Sequence, residues 1–318
     1  MTENSIHPVN KRNDELDFLK CVFILLMIAF HLVYFSELYP TAKQVVYTFH
    51  MPGFLLISGY LMNIGKPVEK FGRTLLGFLL PYVIMETGYT VMAAILPIRE
   101  HIDELTPAVY LDKLLVHPLG PYWYLHALVI CGAVYYGAFR LLKTKVITKI
   151  IATGAILFLL AQYTDILAPT TAFYFLTGAI VRQAGLRFCS VFQSSILAIV
   201  AFILIMPWKE RDGLAVESIL TVYLAISICL WIYPYLHGRI QRTALFLGRN
   251  TLLLFVFSPI FTILCKILVP YLQFDPTGII FLILSLIICT TGSLLLGYVL
   301  QKMHLSQWLF AKEKVLSE

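Results

Sequence analysis

The sequence predicts an all-α fold, a polytopic membrane bundle of about ten transmembrane helices with both termini in the cytoplasm. Of its 318 residues, 59% are hydrophobic and only 13% are charged, whereas about a quarter of the residues in soluble domains are charged. The mean hydropathy is correspondingly high, at +0.81. The apolar residues also gather in runs close to the roughly 20 residues that cross a bilayer. These observations place the chain in the membrane.

The predicted spans follow one another with short charged or Pro-rich breaks between them. They cover residues 16–36, 44–64, 73–96, 122–142, 147–163, 170–181, 191–207, 216–236, 250–272 and 277–300. The sixth run is short for a span. No cleavage site follows the first run, so we expect it to stay as an anchor. Residues 1–15 are then a cytoplasmic tail, 16–302 a single transmembrane domain and 303–318 a second cytoplasmic tail.

The distribution of Lys and Arg predicts the orientation through the positive-inside rule. With a cytoplasmic N-terminus, the outer segments hold only Lys43, Arg99, Lys113, Lys209 and Arg211 of the 24 Lys and Arg residues. This asymmetry favours an even number of spans in a cytoplasmic membrane, which we expect to be bacterial. The basic residues form short clusters between spans and no single tract, which argues against nucleic-acid binding. The six cysteines are scattered without metal-ligand spacing, so we expect no metal.

The first span, DFLKCVFILLMIAFH at residues 17–31, carries a lysine near its start and a histidine at its end. Lys20 and His31 are eleven residues apart, which on a helix is about three turns, so they share one face some 16 Å apart. Ionisable groups in a span are costly and usually face an interior cavity. Lys20 fits either a functional role or snorkelling to the inner headgroups. His31 fits a proton-handling role better than that of a hydrogen-bonded core histidine.

Three further groups are predicted near the outer level of His31. The second span contains FHMPGFLLISGYL at residues 49–61, with His50 two residues before Pro52, and the fourth begins with PYWYLHAL at 121–128. His50 and His126 fit core structure and substrate binding equally well. Trp123 is explained most simply by an interfacial aromatic belt, with a sugar-stacking platform as the alternative.

Other charged groups add to this pattern. Glu86 is the carboxylate well inside a span, and we expect it to pair with an imidazole or a lysine, as a functional group or as a support for the site. Arg73, Arg140 and Arg239 lie on the basic cytoplasmic face with donors suited to phosphate. Each of these arginines, taken alone, is explained as a positive charge that keeps its segment on the cytoplasmic side.

The motifs together resemble the acyltransferase family 3 integral-membrane proteins. DFLKCVFILLMIAFH is similar to the family's opening motif, in which a basic residue precedes a histidine by eleven positions, and FHMPGFLLISGYL is similar to its second-span signature. KFGRTLLGFLLPY (70–82), PYWYLHAL, FYFLTGAIV (173–181) and LGRNTLLLFVFSP (247–259) resemble later family segments. The chain departs from the pattern at Ser258, where many members have a histidine.

The resemblance implies about ten spans and transfer of an acyl group, acetyl being the expected one, from cytoplasmic acyl-CoA to a hydroxyl of a sugar, glycolipid or polysaccharide precursor. We then expect His31, Lys20 and Glu86 to form the catalytic set, with His31 either as general base or as a transient carrier of the acyl group, and His50, Trp123 and His126 to bind the acceptor. Acyl-CoA would be held by Lys20, Arg73, Arg140 and Arg239. The alternatives are a transporter or flippase for a polysaccharide or lipid-linked sugar, and a non-catalytic subunit of a glycan-synthesis complex.

Overall fold

The computed structural model describes residues 13–95, 100–206 and 213–317, and within these ranges all regular structure is helical. The α-helices are α1 Asp14–His31, α2 Val33–Leu38, α3 Pro40–Leu61, α4 Val68–Ile95, α5 Pro107–Leu115, α6 Trp123–Leu141, α7 Val146–Tyr163, α8 Pro169–Gln183, α9 Phe188–Val191, α10 Leu197–Ile205, α11 Val216–Ile232, α12 Gly238–Arg249, α13 Thr251–Leu264, α14 Val269–Leu272, α15 Ile279–Lys302 and α16 Ser306–Phe310. Short 3₁₀ turns, Tyr233–Tyr235 and Cys265–Leu268, extend α11 and join α13 to α14.

The all-α membrane class is therefore confirmed, and each predicted span contains a helix. Six segments of the described chain are long and apolar enough to cross a membrane: Val68–Ile95, Trp123–Leu141, Val146–Tyr163, Val216–Tyr235, Thr251–Leu272 and Ile279–Lys302. The other predicted spans coincide with α1, α3, α8 and α10, which are shorter or more polar. The count of ten and the side of the termini stay predictions.

The two predicted tails are described to different extents. Residues 1–12 of the N-terminal tail lie outside the described residues, as do Arg99, Lys209 and Arg211 of the predicted outer segments. The C-terminal residues pack against the bundle. Phe310 is fully buried, and the amide of Ser317 donates to Oδ1 of Asn250 at 2.8 Å while the Asn250 amide donates back to the Ser317 carbonyl at 2.9 Å.

Helix α1 lies at the centre of the bundle, where it contacts α3, α11, α12, α13 and α15. Asn13 caps its N-terminus, because the Asn13 side chain accepts hydrogen bonds from two first-turn amides that have no partner within the helix. It ends at His31, because Leu32 adopts an extended conformation that breaks the helix before α2. His31 is thus the last residue of a buried helix.

Glycines set the closest helix approaches around α1. A Cβ atom at Gly59 of α3 would collide with the Phe175 carbonyl of α8, and one at Gly178 of α8 would collide with the Leu56 carbonyl of α3. Small residues allow this kind of backbone contact between helices in membranes. Helix α3 is therefore held directly against α8, and the first turn of α8 is fixed beside the histidine-bearing part of α3.

Candidate functional site: two cavities on either side of an aromatic partition

A cavity of about 810 Å³ lies where the end of α1, the middle of α3, the start of α6 and the start of α8 meet. We call it the histidine cavity. It is lined by Met27, His31, Lys43, Gln44, Tyr47, Thr48, His50, Met51, Pro52, Leu55, Gly120, Pro121, Trp123, Thr170, Thr171, Tyr174, Gly213 and Phe255. Its volume is in the range of small-molecule binding sites.

Backbone hydrogen bonds fix the tautomer of both histidines in this cavity. Nδ1 of His31 lies 2.7 Å from the Met27 carbonyl oxygen, and Nδ1 of His50 lies 2.7 Å from the carbonyl oxygen of Val46. A carbonyl oxygen can only accept, so Nδ1 carries the proton in each ring. Nε2 of each neutral imidazole is then unprotonated and able to accept a proton.

Tyr47 connects the two histidines within one aromatic cluster. Its ring centroid lies 6.0 Å from that of His31 and 5.2 Å from that of His50, and its hydroxyl donates to the Phe30 carbonyl at 3.2 Å. His50 is only 2% exposed, and its Nε2 has no hydrogen-bond partner among the described residues. A buried nitrogen without a partner is costly, which is typical of a site that a ligand completes.

A second, smaller cavity of about 240 Å³ lies toward the other end of α1. We call it the lysine cavity, because Lys20 and Lys66 line it together with Asn63, Thr74 and Thr251. Nζ of Lys66 donates to the hydroxyl of Thr74 at 2.9 Å. Two ammonium groups and several polar side chains thus converge at this end of the bundle.

Lys20 is held by a charged cluster that joins α1 to α12. Its Nζ lies 2.8 Å from Oδ1 of Asp17, which is buried, and Nε of Arg249 lies 3.4 Å from Oδ2 of the same carboxylate. Arg249 also reaches Asp14, with a nitrogen–oxygen distance of 3.2 Å. The backbones come into direct contact here, since a Cβ at Gly248 would collide with the Asp17 carbonyl.

Aromatic side chains separate the two cavities. Phe255 of α13 lines both of them, whereas Phe54 and Tyr124 line the lysine cavity. The ring centroid of Tyr124 lies 5.2 Å from that of Phe255 and 5.9 Å from that of Phe54, and its hydroxyl lies 2.7 Å from the hydroxyl oxygen of Ser58. This partition is apolar except for the Tyr124–Ser58 pair.

The structure places Glu86 and His126 outside both cavities. Glu86 is fully buried, and its Oε1 accepts the Leu119 amide at 2.6 Å, next to Gly120 and Pro121 of the cavity wall. His126 is nearly buried, with its ring centroid 5.2 Å from that of Tyr82. Glu86 therefore lies behind the wall of the histidine cavity, and neither residue lines it. Trp123, in contrast, lines it.

The three predicted phosphate-binding arginines also lie outside the cavities. Arg73 is exposed and pairs with Glu69 at 2.9 Å, and Arg140 and Arg239 are exposed at the end of α6 and the start of α12. Lys66 and Lys43, in contrast, line the cavities but were not among the predicted site residues. A lysine at the end of a span is explained by topology alone, so the sequence gives no signal that sets these two apart.

Within the described residues, no group of three or more His, Cys, Asp or Glu side chains could hold a metal ion. The arrangement is that of a membrane-embedded protein whose central helix joins a cationic cavity to a histidine-lined cavity. The family model of acyltransferase family 3, described as an acyltransferase domain, matches residues 13–298. The chain belongs to this family and is an integral-membrane acyltransferase. Comparison with the curated proteins and with the solved structures gives no match.

Proposed function

We propose that this acyltransferase moves an acyl group, acetyl being the expected one, from acyl-CoA to a hydroxyl of a sugar, glycolipid or polysaccharide precursor. The donor would enter through the lysine cavity and the acceptor would occupy the histidine cavity. The observation that carries the proposal is the position of Lys20 and His31 on one central helix, about 16 Å apart along its axis, with each lining a different cavity.

His31 is the proposed general base. Its unprotonated Nε2 takes the proton of the acceptor hydroxyl while the oxygen attacks the thioester carbonyl, and the carbon–sulfur bond then breaks. The departing thiolate of CoA takes a proton from the imidazolium, which leaves an ester, free CoA and the neutral histidine. General-base catalysis of this kind contributes about 10²–10⁴-fold to a rate.

The remaining residues would act through binding and positioning. Lys20 and Lys66 would bind the anionic part of the donor at the lysine cavity. The exposed arginines of the predicted cytoplasmic face would bind the phosphates of the donor; they are Arg73, Arg140 and Arg239. His50 and Trp123 would contact the acceptor. Glu86 and His126 would support the wall of the histidine cavity, Glu86 through its bond to the Leu119 amide.

The first test is transfer of label from acetyl-CoA by purified protein, comparing wild type with His31→Ala. We expect the variant to lose at least about 10²-fold in turnover, as loss of a general base does, with an unchanged melting temperature. His101→Ala, at an exposed loop position outside both cavities, is the matched control and should keep full activity. Undiminished turnover of His31→Ala would refute the role of His31. Absence of label transfer and of CoA release from wild-type protein would refute the choice of donor.

A further inference from the structure

The histidine cavity contains one charged side chain, and that charge is positive. Lys43 of α3 is the sole Lys, Arg, Asp or Glu among the described residues that line the cavity. It is half-buried, and no carboxylate of the described chain lies within 4.0 Å of its ammonium group. Its neighbours are the hydroxyl of Ser36 at 3.3 Å and the ring of Tyr47, whose centroid lies 5.7 Å away.

A half-buried ammonium keeps part of its hydration, so its charge is stable there without a partner and stays available to a bound anion. Glu100 does not line the cavity, although its Oε2 accepts the amide of the lining residue Gly120 at 2.9 Å. Neither Ser36 nor Tyr47 carries a negative charge. Among the described residues that line the cavity, none supplies a negative charge to Lys43.

The start of α8 faces the same cavity with unsatisfied backbone donors. Thr170 and Thr171 line the cavity, and they occupy the first turn behind Ala168, which makes no side-chain cap. Their amides have no acceptor among the described residues. The first amides of a helix attract anions through their free N–H groups and the helix dipole.

A third feature, independent of these two, also indicates a missing ligand. His50 lines the cavity, is 2% exposed, and keeps Nε2 without a hydrogen-bond partner among the described residues. A hydroxyl of a polyhydroxylated ligand can donate to this nitrogen. The lysine, the α8 amides and the histidine thus supply one anion-binding part and one hydroxyl-binding part within a single cavity.

From these contacts we infer that the acceptor is an anionic sugar, one whose carboxylate or phosphate group binds Lys43 and the first turn of α8 while its hydroxyls face the histidines. This inference rests on the proposed function, because it names the class of acceptor for that site. Carboxylate and phosphate share the oxyanion chemistry that these donors recognise.

Binding without the acyl donor tests the inference separately from catalysis. Isothermal titration of purified protein in nanodiscs would compare methyl glucuronoside with its neutral methyl ester, and glucose 1-phosphate with methyl glucoside. We expect the charged member of at least one pair to bind about tenfold more tightly, the size of one charge-assisted hydrogen bond. The preference should weaken as salt concentration rises. The pair with the larger preference identifies carboxylate or phosphate.

Variants of Lys43 assign the preference to this residue. Lys43→Gln should reduce the charged-to-neutral ratio to the part that the α8 amides supply, whereas Lys43→Arg should keep most of it. Lys113→Gln, which removes a cation that does not line the cavity, is the matched control and should leave the ratio unchanged. Equal binding of charged and neutral probes by wild type, or an undiminished preference in Lys43→Gln, would overturn the inference. If the preference is found but no acyl transfer occurs, the proposed function fails and the anion site stands.

Discussion

Glu86 shows how a buried carboxylate can act on a site without touching it. Its Oε1 accepts the Leu119 amide at 2.6 Å, and the two following residues form part of the wall of the histidine cavity. An amide side chain offers the same acceptor oxygen without the charge. The role of Glu86 is therefore separable into a hydrogen-bonding part and an ionic part.

We predict that Glu86→Gln keeps transfer within a few-fold of wild type, because the bond to Leu119 survives. Glu86→Leu should lower transfer about tenfold or more, since it leaves that amide without a partner at a cost of about 1–3 kcal/mol. Steady-state label transfer, with melting temperature as the check on folding, measures both. A folded Glu86→Gln protein without activity would instead show that the carboxylate itself takes part in catalysis.

Asp17 and Glu69 offer a matched comparison of ion pairs. Asp17 is 5% exposed and contacts both Lys20 and Arg249, whereas Glu69 forms an exposed pair with Arg73. Asp17→Asn should destabilise the protein by roughly 3 kcal/mol, because it leaves two cations near a buried amide. Glu69→Gln should cost less than about 1 kcal/mol.

Unfolding in a detergent titration measures both free energies. For Asp17→Asn we also expect an increase in KM for acyl-CoA that exceeds any change in kcat, since the carboxylate fixes Lys20 at the lysine cavity. Equal stability loss in the two variants would contradict the account of this cluster.

At the residue scale, the relative positions of side chains on one helix could be predicted from the sequence, because helix geometry determines them. The spacing of Lys20 and His31 placed them on one face at different depths, and both do line cavities along α1. The partner of Glu86 and the position of Lys43 depend on loops and on neighbouring helices. No pattern within one span carries that information, because such contacts join residues far apart in the chain.

At the scale of elements, the contact between α3 and α8 depends on two glycines. A Cβ at Gly178 would meet the Leu56 carbonyl, a backbone atom that cannot rotate away, whereas a Cβ at Gly137 of α6 would meet nothing within 4 Å. Gly178→Ala should therefore destabilise the protein by about 1–3 kcal/mol through overpacking. Gly137→Ala should be neutral or stabilising by up to about 1 kcal/mol, because alanine favours the helix.

Each alanine variant adds one methyl group to a helical glycine of the wild type. The difference between their unfolding free energies therefore isolates the contact between α3 and α8. Gly178→Ala should also lower transfer, since the first turn of α8 lines the histidine cavity. Equal stability of the two variants would show that α3 and α8 do not approach as closely as the structure indicates.

The elements were largely predictable, with instructive exceptions. Each predicted span contains a helix because long apolar runs have few other solutions in a bilayer. The helix α12, at Gly238–Arg249, falls in a stretch assigned to a basic loop. Its apolar residues are too few for a span, and its contact with α1 joins its own Gly248 to the distant Asp17. Short amphipathic helices of this kind are specified by tertiary packing more than by local pattern.

At the scale of the whole molecule, the proposed function assigns the two cavities to opposite faces of the membrane. The positive-inside rule predicts that Lys20 lies near the cytoplasmic face and His31 toward the outer one. Phe255 lines both cavities, and Phe54 and Tyr124 line the lysine cavity beside it. An acyl group that moves from a donor at one face to an acceptor at the other must pass these aromatic side chains. The proposed function therefore requires donor and acceptor to bind from opposite sides of the membrane.

The most direct test uses membrane vesicles of defined orientation with a soluble methyl glycoside in the lumen and labelled acetyl-CoA, which does not cross the bilayer, supplied outside. In inside-out vesicles the lysine cavity faces the added donor, so we expect label on the luminal glycoside, and none with His31→Ala. Intact right-side-out vesicles should show no transfer until the donor is admitted by permeabilisation. Equal transfer by both intact orientations, or label only on glycoside outside the vesicles, would contradict transfer between the two cavities.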